Sequence, residues 1–168
     1  MMRFSRLYKR RSLVRLRPEL WRELLGELAA RGAGVRESGA FLLAVAAGDR
    51  KRVVRIIYLD DLDPDCLQGG ISFRGTAYGA LWRICRRERL TVVGDVHTHP
   101  GPVVAQSTVD RDNPMIATVG HVALIVPDYA QRPIGAREVG VHVYHGEHQW
   151  TSSFARDAAR LIYIGRFA

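Results

Sequence analysis

The chain has 168 residues, 47% of them hydrophobic and 25% charged, and a formal net charge of +8 at pH 7. This composition excludes a disordered chain, and the length suits one domain, residues 1–168, with a core of its own. No apolar run approaches the roughly 20 residues that span a bilayer, and no apolar stretch follows the basic N-terminus as in a secretory signal, so the chain is expected in the cytoplasm with no membrane partner.

Residues 1–11 form a basic segment, part of a run (Arg3, Arg6, Lys9, Arg10, Arg11, Arg15, Arg17) with no acid before Glu19. An acid-free start also fits an organellar transit peptide, but Ser12 to Leu16 reads better as a first strand leading into a helix. Pro18 suits a first helical turn, and Leu20, Leu24 and Leu28, with Trp21 and Leu25, predict an amphipathic helix to about Arg31. Gly32 and Gly34 stop it. Ser38 to Ala47 and Arg52 to Leu59 read as a hairpin across Gly48-Asp49-Arg50, and Asp60 to Gly70 reads as loop. A second helix is predicted from about Gly75 to Arg87, with Ala77, Leu81, Ile84 and Cys85 on one face and arginines on the other.

Leu90 to Val96 is a buried-type strand, Pro100 to Gln106 a loop, and Ser107 starts a short helical turn that breaks before Pro114. His121 to Val126 is another buried strand. Val139 to Tyr144 and Gln149 to Ser152 predict a last hairpin, and Phe154 to Ile164 a terminal helix, with 153–168 as C-terminal helix or tail. Cys66 and Cys85 form no CxxC pair and read as buried reduced thiols. A second basic group, Arg83, Arg86, Arg87 and Arg89, reads as a solvated face. It could attract nucleic acid or an acidic protein surface, but the aromatic interleaving of a single-strand platform is thin, and nucleic acid is not the expected partner.

The chemistry concentrates in Asp95-Val96-His97-Thr98-His99-Pro100 and Ser107-Thr108-Val109-Asp110. Histidines two apart on a strand project to the same side, and Pro100 ends the ladder. Ser107 and Asp110, three apart, share one face of a helical turn, and the seven-residue loop between can fold that turn back over the strand end. Two imidazoles and a carboxylate suit zinc, and three protein ligands leave the open fourth position of a catalytic site. Zinc lowers the pKa of a bound water to about 7, and a carboxylate is then needed to take and return the proton. Taken singly, the pieces have structural readings too: two satisfied histidines, and a helix cap made by Ser107 and Asp110. These alternatives stay open on spacing alone.

His97-x-His99-Pro100, the seven-residue spacing and Ser107-x-x-Asp110 resemble the JAMM motif of MPN-plus metalloproteases. Arg36-Glu37-Ser38-Gly39 looks like that family's upstream Glu-x-Gly strand, and the layout is similar from about Leu13 to Val126. The resemblance implies an α/β, single-domain MPN (cytidine-deaminase-like) fold with a mixed, mostly antiparallel sheet flanked by helices. It implies one catalytic Zn2+ on His97, His99 and Asp110, with Glu37 as general base and Ser107 hydrogen-bonding the oxyanion. Without the resemblance, Glu37 would be a surface acid beside Arg36.

The chain further resembles compact bacterial members that work beside ubiquitin-like modifiers and their activating and conjugating enzymes, some in antiviral defence. The expected function is an isopeptidase or peptidase cleaving after the C-terminal glycine of a ubiquitin-like protein. Alternatives are a peptidase acting on a sulfur-carrier adduct, a metal-free MPN scaffold, and a nucleic-acid-linked protein. Asp95, where many eukaryotic members have Trp, shares the histidines' side of the strand and is either a partner of a ligand imidazole or a polar residue near the strand end. His142, His145 and His148 read as surface or edge histidines, and His121 as a packed or hydrogen-bonded one.

Overall fold

The computed structural model describes residues 12–68 and 70–168; the expectation for the basic segment 1–11 lies outside the described residues. After strand β1 (Val14–Leu16), helix α1 runs over Pro18–Gly32. It starts on Pro18, buries Trp21, Leu24, Leu25 and Leu28, and ends on Ala33 at φ 52°. Strands β2 (Gly39–Val45) and β3 (Arg55–Tyr58) form the predicted hairpin.

The segment 60–70, predicted as loop, is more ordered than that. It opens with a helical turn, α2 (Leu59–Leu62), and includes a two-residue ladder of β4 (Leu67–Gln68) with β5 (Gly70–Ile71). Leu59, Cys66 and Leu67 are buried there, but so short a segment leaves no readable period. Asp63, 1% exposed on its side chain, accepts hydrogen bonds from the Arg74 guanidinium and backbone N–H, which hold its carboxyl down at about 2 and fix the lead into helix α3 (Gly75–Glu88).

Strand β6 (Leu90–Thr98) follows, then helix α4 (Thr108–Asp112), β7 (Val122–Val126), β8 (Gly140–Gly146) and β9 (Gln149–Ser153). The six-stranded sheet has the order β3-β2-β6-β7-β8-β9, antiparallel throughout except for the parallel pair β6–β7. Its strands alternate between two cores. Ala40, Leu42, Val96, Val122 and Leu124 pack with α1. Phe41 and Leu43 pack with Leu81 and Cys85 of α3. β2 is buried from Gly39 through Ala44, as a strand covered on both faces must be.

The terminal helix is shorter than predicted: α5 covers Ala155–Leu161, and Ile162–Ile164 form β10, parallel to β1. The branched Ile162 and Ile164 suit a strand, and pairing with β1 overrides the helical pattern. Cys66 and Cys85 are buried free thiols, and burial pushes that of Cys66 up to about 11. No helix among the described residues is long and apolar enough to cross a membrane.

Candidate metal centre

β6 runs through the middle of the sheet and carries the histidines to its end. Gly39 pairs with His97 and Phe41 with Asp95, so Asp95 and His97 share the α3 face. A Cβ on Gly39 would stand 2.8 Å from Leu59 Cδ1 and 2.9 Å from the Val96 carbonyl oxygen, so the glycine of Glu-x-Gly lets β2 close on the end of β6. Ser38 completes the seam. Its N–H donates to Thr98 Oγ1 at 3.0 Å, its carbonyl accepts from the Thr98 N–H at 2.9 Å, and its hydroxyl donates to the Leu28 carbonyl at 2.8 Å. Glu37, the next residue back, is therefore held at the mouth of the seam.

Asp110 comes from α4, where the capping box is complete. Ser107 Oγ accepts from the Asp110 N–H at 3.1 Å, and Asp110 Oδ2 accepts from the Ser107 N–H at 2.7 Å. The carboxylate that caps the helix also faces the histidines: Oδ2 lies 3.4 Å from His99 Nε2 and Oδ1 lies 3.5 Å from His97 Nε2.

The two Nε2 atoms are 3.2 Å apart. Donors about 2.0–2.1 Å from a tetrahedral ion stand roughly 3.3–3.4 Å from one another. These separations are of the size that one small cation would need, and two imidazoles with a carboxylate suit a divalent metal. His97, His99 and Asp110 are the group of His, Cys, Asp or Glu side chains whose ligand atoms converge in this way among the described residues. The tautomer fits as well: His99 Nδ1 donates to the Val103 carbonyl at 3.0 Å, which leaves the Nε2 lone pair for a metal.

Glu37 is half-buried and stands outside that cluster. Burial raises its carboxyl above the ordinary value, His97 and His99 pull it back, and Asp110 adds to the rise. Burial also works against the charge of Asp110, but hydrogen bonds from His97, His99 and Ser107 hold its carboxyl far below the usual carboxylate range. The centre opens on a cleft of about 580 Å³. Its lining includes the polar Glu37, His97, Ser107 and Asp110 and the largely apolar Leu59, Ile71, Phe73, Tyr78 and Met115.

Asp95 does not pair with a ligand imidazole. It accepts from His121 Nε2 at 2.5 Å, and both side chains are under 5% exposed. His121 is thus the hydrogen-bonded histidine expected. The surface reading of His142 is overturned: β8 is an interior strand, Ala123 pairs with His142, and the side chain is fully buried beneath the loop 100–106. Its Nε2 donates to the Val104 carbonyl at 3.0 Å, and its Nδ1 accepts from the Ser152 hydroxyl at 2.8 Å. His145 and His148 are exposed, as read. Trp150 was missed altogether; its indole N–H donates to the Arg111 carbonyl at 3.1 Å and so braces α4 from β9. Its only sequence signal was a lone aromatic on an edge strand.

No protein-family model matches the chain. A probable metalloprotease of Sinorhizobium fredii is 28% identical over 75 residues, 45% of this chain and 46% of that protein, so the match spans about half the length of the relative. A protein of Desulfitobacterium hafniense solved in solution superposes with a TM-score of 0.59 at 19% identity, covering 84% of this chain and 90% of that one. A JAB1/MPN domain protein of Archaeoglobus fulgidus gives 0.45 at 19% identity, covering 80% and 89%. The likeness to the Desulfitobacterium protein, at 19% identity, is one of fold, and the match to the probable metalloprotease covers less than half of either chain.

Proposed function

We propose that the chain is a zinc-dependent peptidase of the JAMM type that cleaves after the C-terminal glycine of a ubiquitin-like protein, freeing it from a target lysine or trimming a precursor. The observation that carries this reading is the mutual spacing of His97 Nε2, His99 Nε2 and Asp110, 3.2 to 3.5 Å, in the wall of an open cleft. When bound, the ion supplies Lewis acidity that brings the pKa of water towards neutrality.

The residues do the rest. Glu37, close to the ligands but not among them, takes a proton from the attacking water and delivers it to the leaving amine. Ser107 Oγ is used as an acceptor by the Asp110 N–H, which leaves its O–H free to donate to the oxyanion. Gln106, beside it, has a buried Oε1 without a hydrogen-bond partner, an acceptor for a substrate N–H. A glycine tail, having no side chains, can lie flat along Gly70 and Ile71 in the same cleft.

The test pairs metal analysis with turnover. Glu37→Gln should retain one zinc per chain and lose at least 10²-fold in kcat, whereas His97→Ala and Asp110→Ala should lose both. Glu37 acts as a base only when ionised, so kcat/KM should fall with acid as its carboxyl takes up a proton. A Glu37→Gln protein that cleaves normally would remove the assigned base. A lysine conjugate and a carrier–cysteine adduct, assayed side by side, distinguish deconjugation from sulfur-carrier processing; cleavage of the adduct alone would replace the substrate assignment.

A further inference from the structure

A second concavity lies at the other end of α3 and β6. Leu90 begins β6 seven residues before His97, so at about 3.3 Å per residue the two stand roughly 23 Å apart. This groove, about 430 Å³, is lined by Ala46, Trp82, Cys85, Leu90, Arg86 and Arg89. Its floor is apolar, and Trp82 is left 38% exposed.

The rim is cationic and unneutralised. Arg86 and Arg89 are exposed and have no carboxylate ion-pair partner among the described residues, while Glu88 is taken by Arg55 and Arg87, and Asp49, beside Arg50, by Arg15. Arg50 stands next to Ala46 of that lining, its Nε donating to the Ala46 carbonyl at 3.0 Å. Arg89 also closes α3 in the left-handed region, at φ 55°, where glycine is usual.

We propose that this groove docks an acidic segment of a partner protein bearing one protruding apolar side chain. Carboxylates meet Arg50, Arg86 and Arg89, and the apolar group lies on the floor made by Trp82 and Leu90. The apolar floor and single exposed indole favour a peptide over nucleic acid, whose phosphates bury nothing there and whose bases need several stacking rings. The inference does not rest on the peptidase reading.

The full chain is titrated at low salt with a synthetic peptide of six glutamates around one leucine, following backbone amide shifts. The same is done with the leucine replaced by serine, and with oligothymidine of equal charge. Shifts should concentrate on 46 and 82–90, and binding should weaken with salt. Removing the leucine, or Trp82→Ala, should weaken it about fivefold. Arg86→Glu with Arg89→Glu should weaken it at least tenfold, the Gln pair somewhat less, and Arg137→Glu with Arg156→Glu under twofold. Absence of saturable binding, equal weakening by the distant pair, or tighter binding of oligothymidine to the groove would overturn the proposal.

Discussion

The three side chains of the proposed metal centre are held in two unlike ways. His97 sits within β6, hydrogen-bonded on both flanks, with β2 on one side and β7 on the other, and is 8% exposed. Asp110 sits on a five-residue helix that buries none of its residues. The strand needs no help to place its side chain, because the ladder fixes it. The short helix is below the length that is stable alone, so its position depends on anchors from elsewhere: the capping box, Trp150 on the Arg111 carbonyl, and His142 on the Val104 carbonyl. His99 lies between the two regimes, with its N–H on the Val126 carbonyl and its Nδ1 on the loop. A centre built this way loses its aspartate before its imidazoles.

Damage to the anchors should therefore show as weakened metal binding with an intact sheet. The largest effect is expected for Gly140→Ala, because a Cβ there falls on the Val104 carbonyl oxygen and crowds His142 Nε2. Overpacking of about 1–3 kcal/mol should lower Tm by several degrees and cut zinc affinity at least tenfold as the loop is displaced. Calorimetry and a competing chelator check both numbers. Next comes His142→Phe, which keeps the shape but strands the Val104 carbonyl and the Ser152 hydroxyl. A loss of roughly tenfold in zinc affinity is expected, and a variant binding zinc as the parent does would show that the loop stands without this anchor. The smallest effect belongs to Trp150→Phe, which retains an aromatic ring against Tyr144 and removes one hydrogen bond worth about 1 kcal/mol. Zinc affinity should drop a few-fold, with the His97 and His99 ring resonances unmoved in the metal-free protein.

The same division explains what could be read from sequence. β2, β6 and β7 announced themselves as apolar runs, α1 and α3 by their spacing, and the HxHP and SxxD segments by residues whose partners lie close along the chain. What escaped depends on cross-strand register. The burial of His142 follows from its pairing opposite Ala123, and the Asp95–His121 pair joins β6 to the residue just before β7. No local pattern encodes either. The turn α2 and the ladder β4–β5 are too short to carry a period. The strand β10 was masked by an alanine- and arginine-rich approach that favours helix over Ala155–Leu161.

That last strand has a consequence for how the molecule comes together. β1 is paired in parallel with β10, Val14 opposite Ile162, and on its other edge Arg15 bridges Arg52; Val14 and Leu16 are wholly buried. Contact between stretches so distant in the chain closes a very large loop and tends to form late. On a ribosome, the edge of β1 that faces Arg52 can be matched early, by Lys51 and Val53, whereas the edge that faces β10 finds its partners only after Ile162–Ile164 have been made.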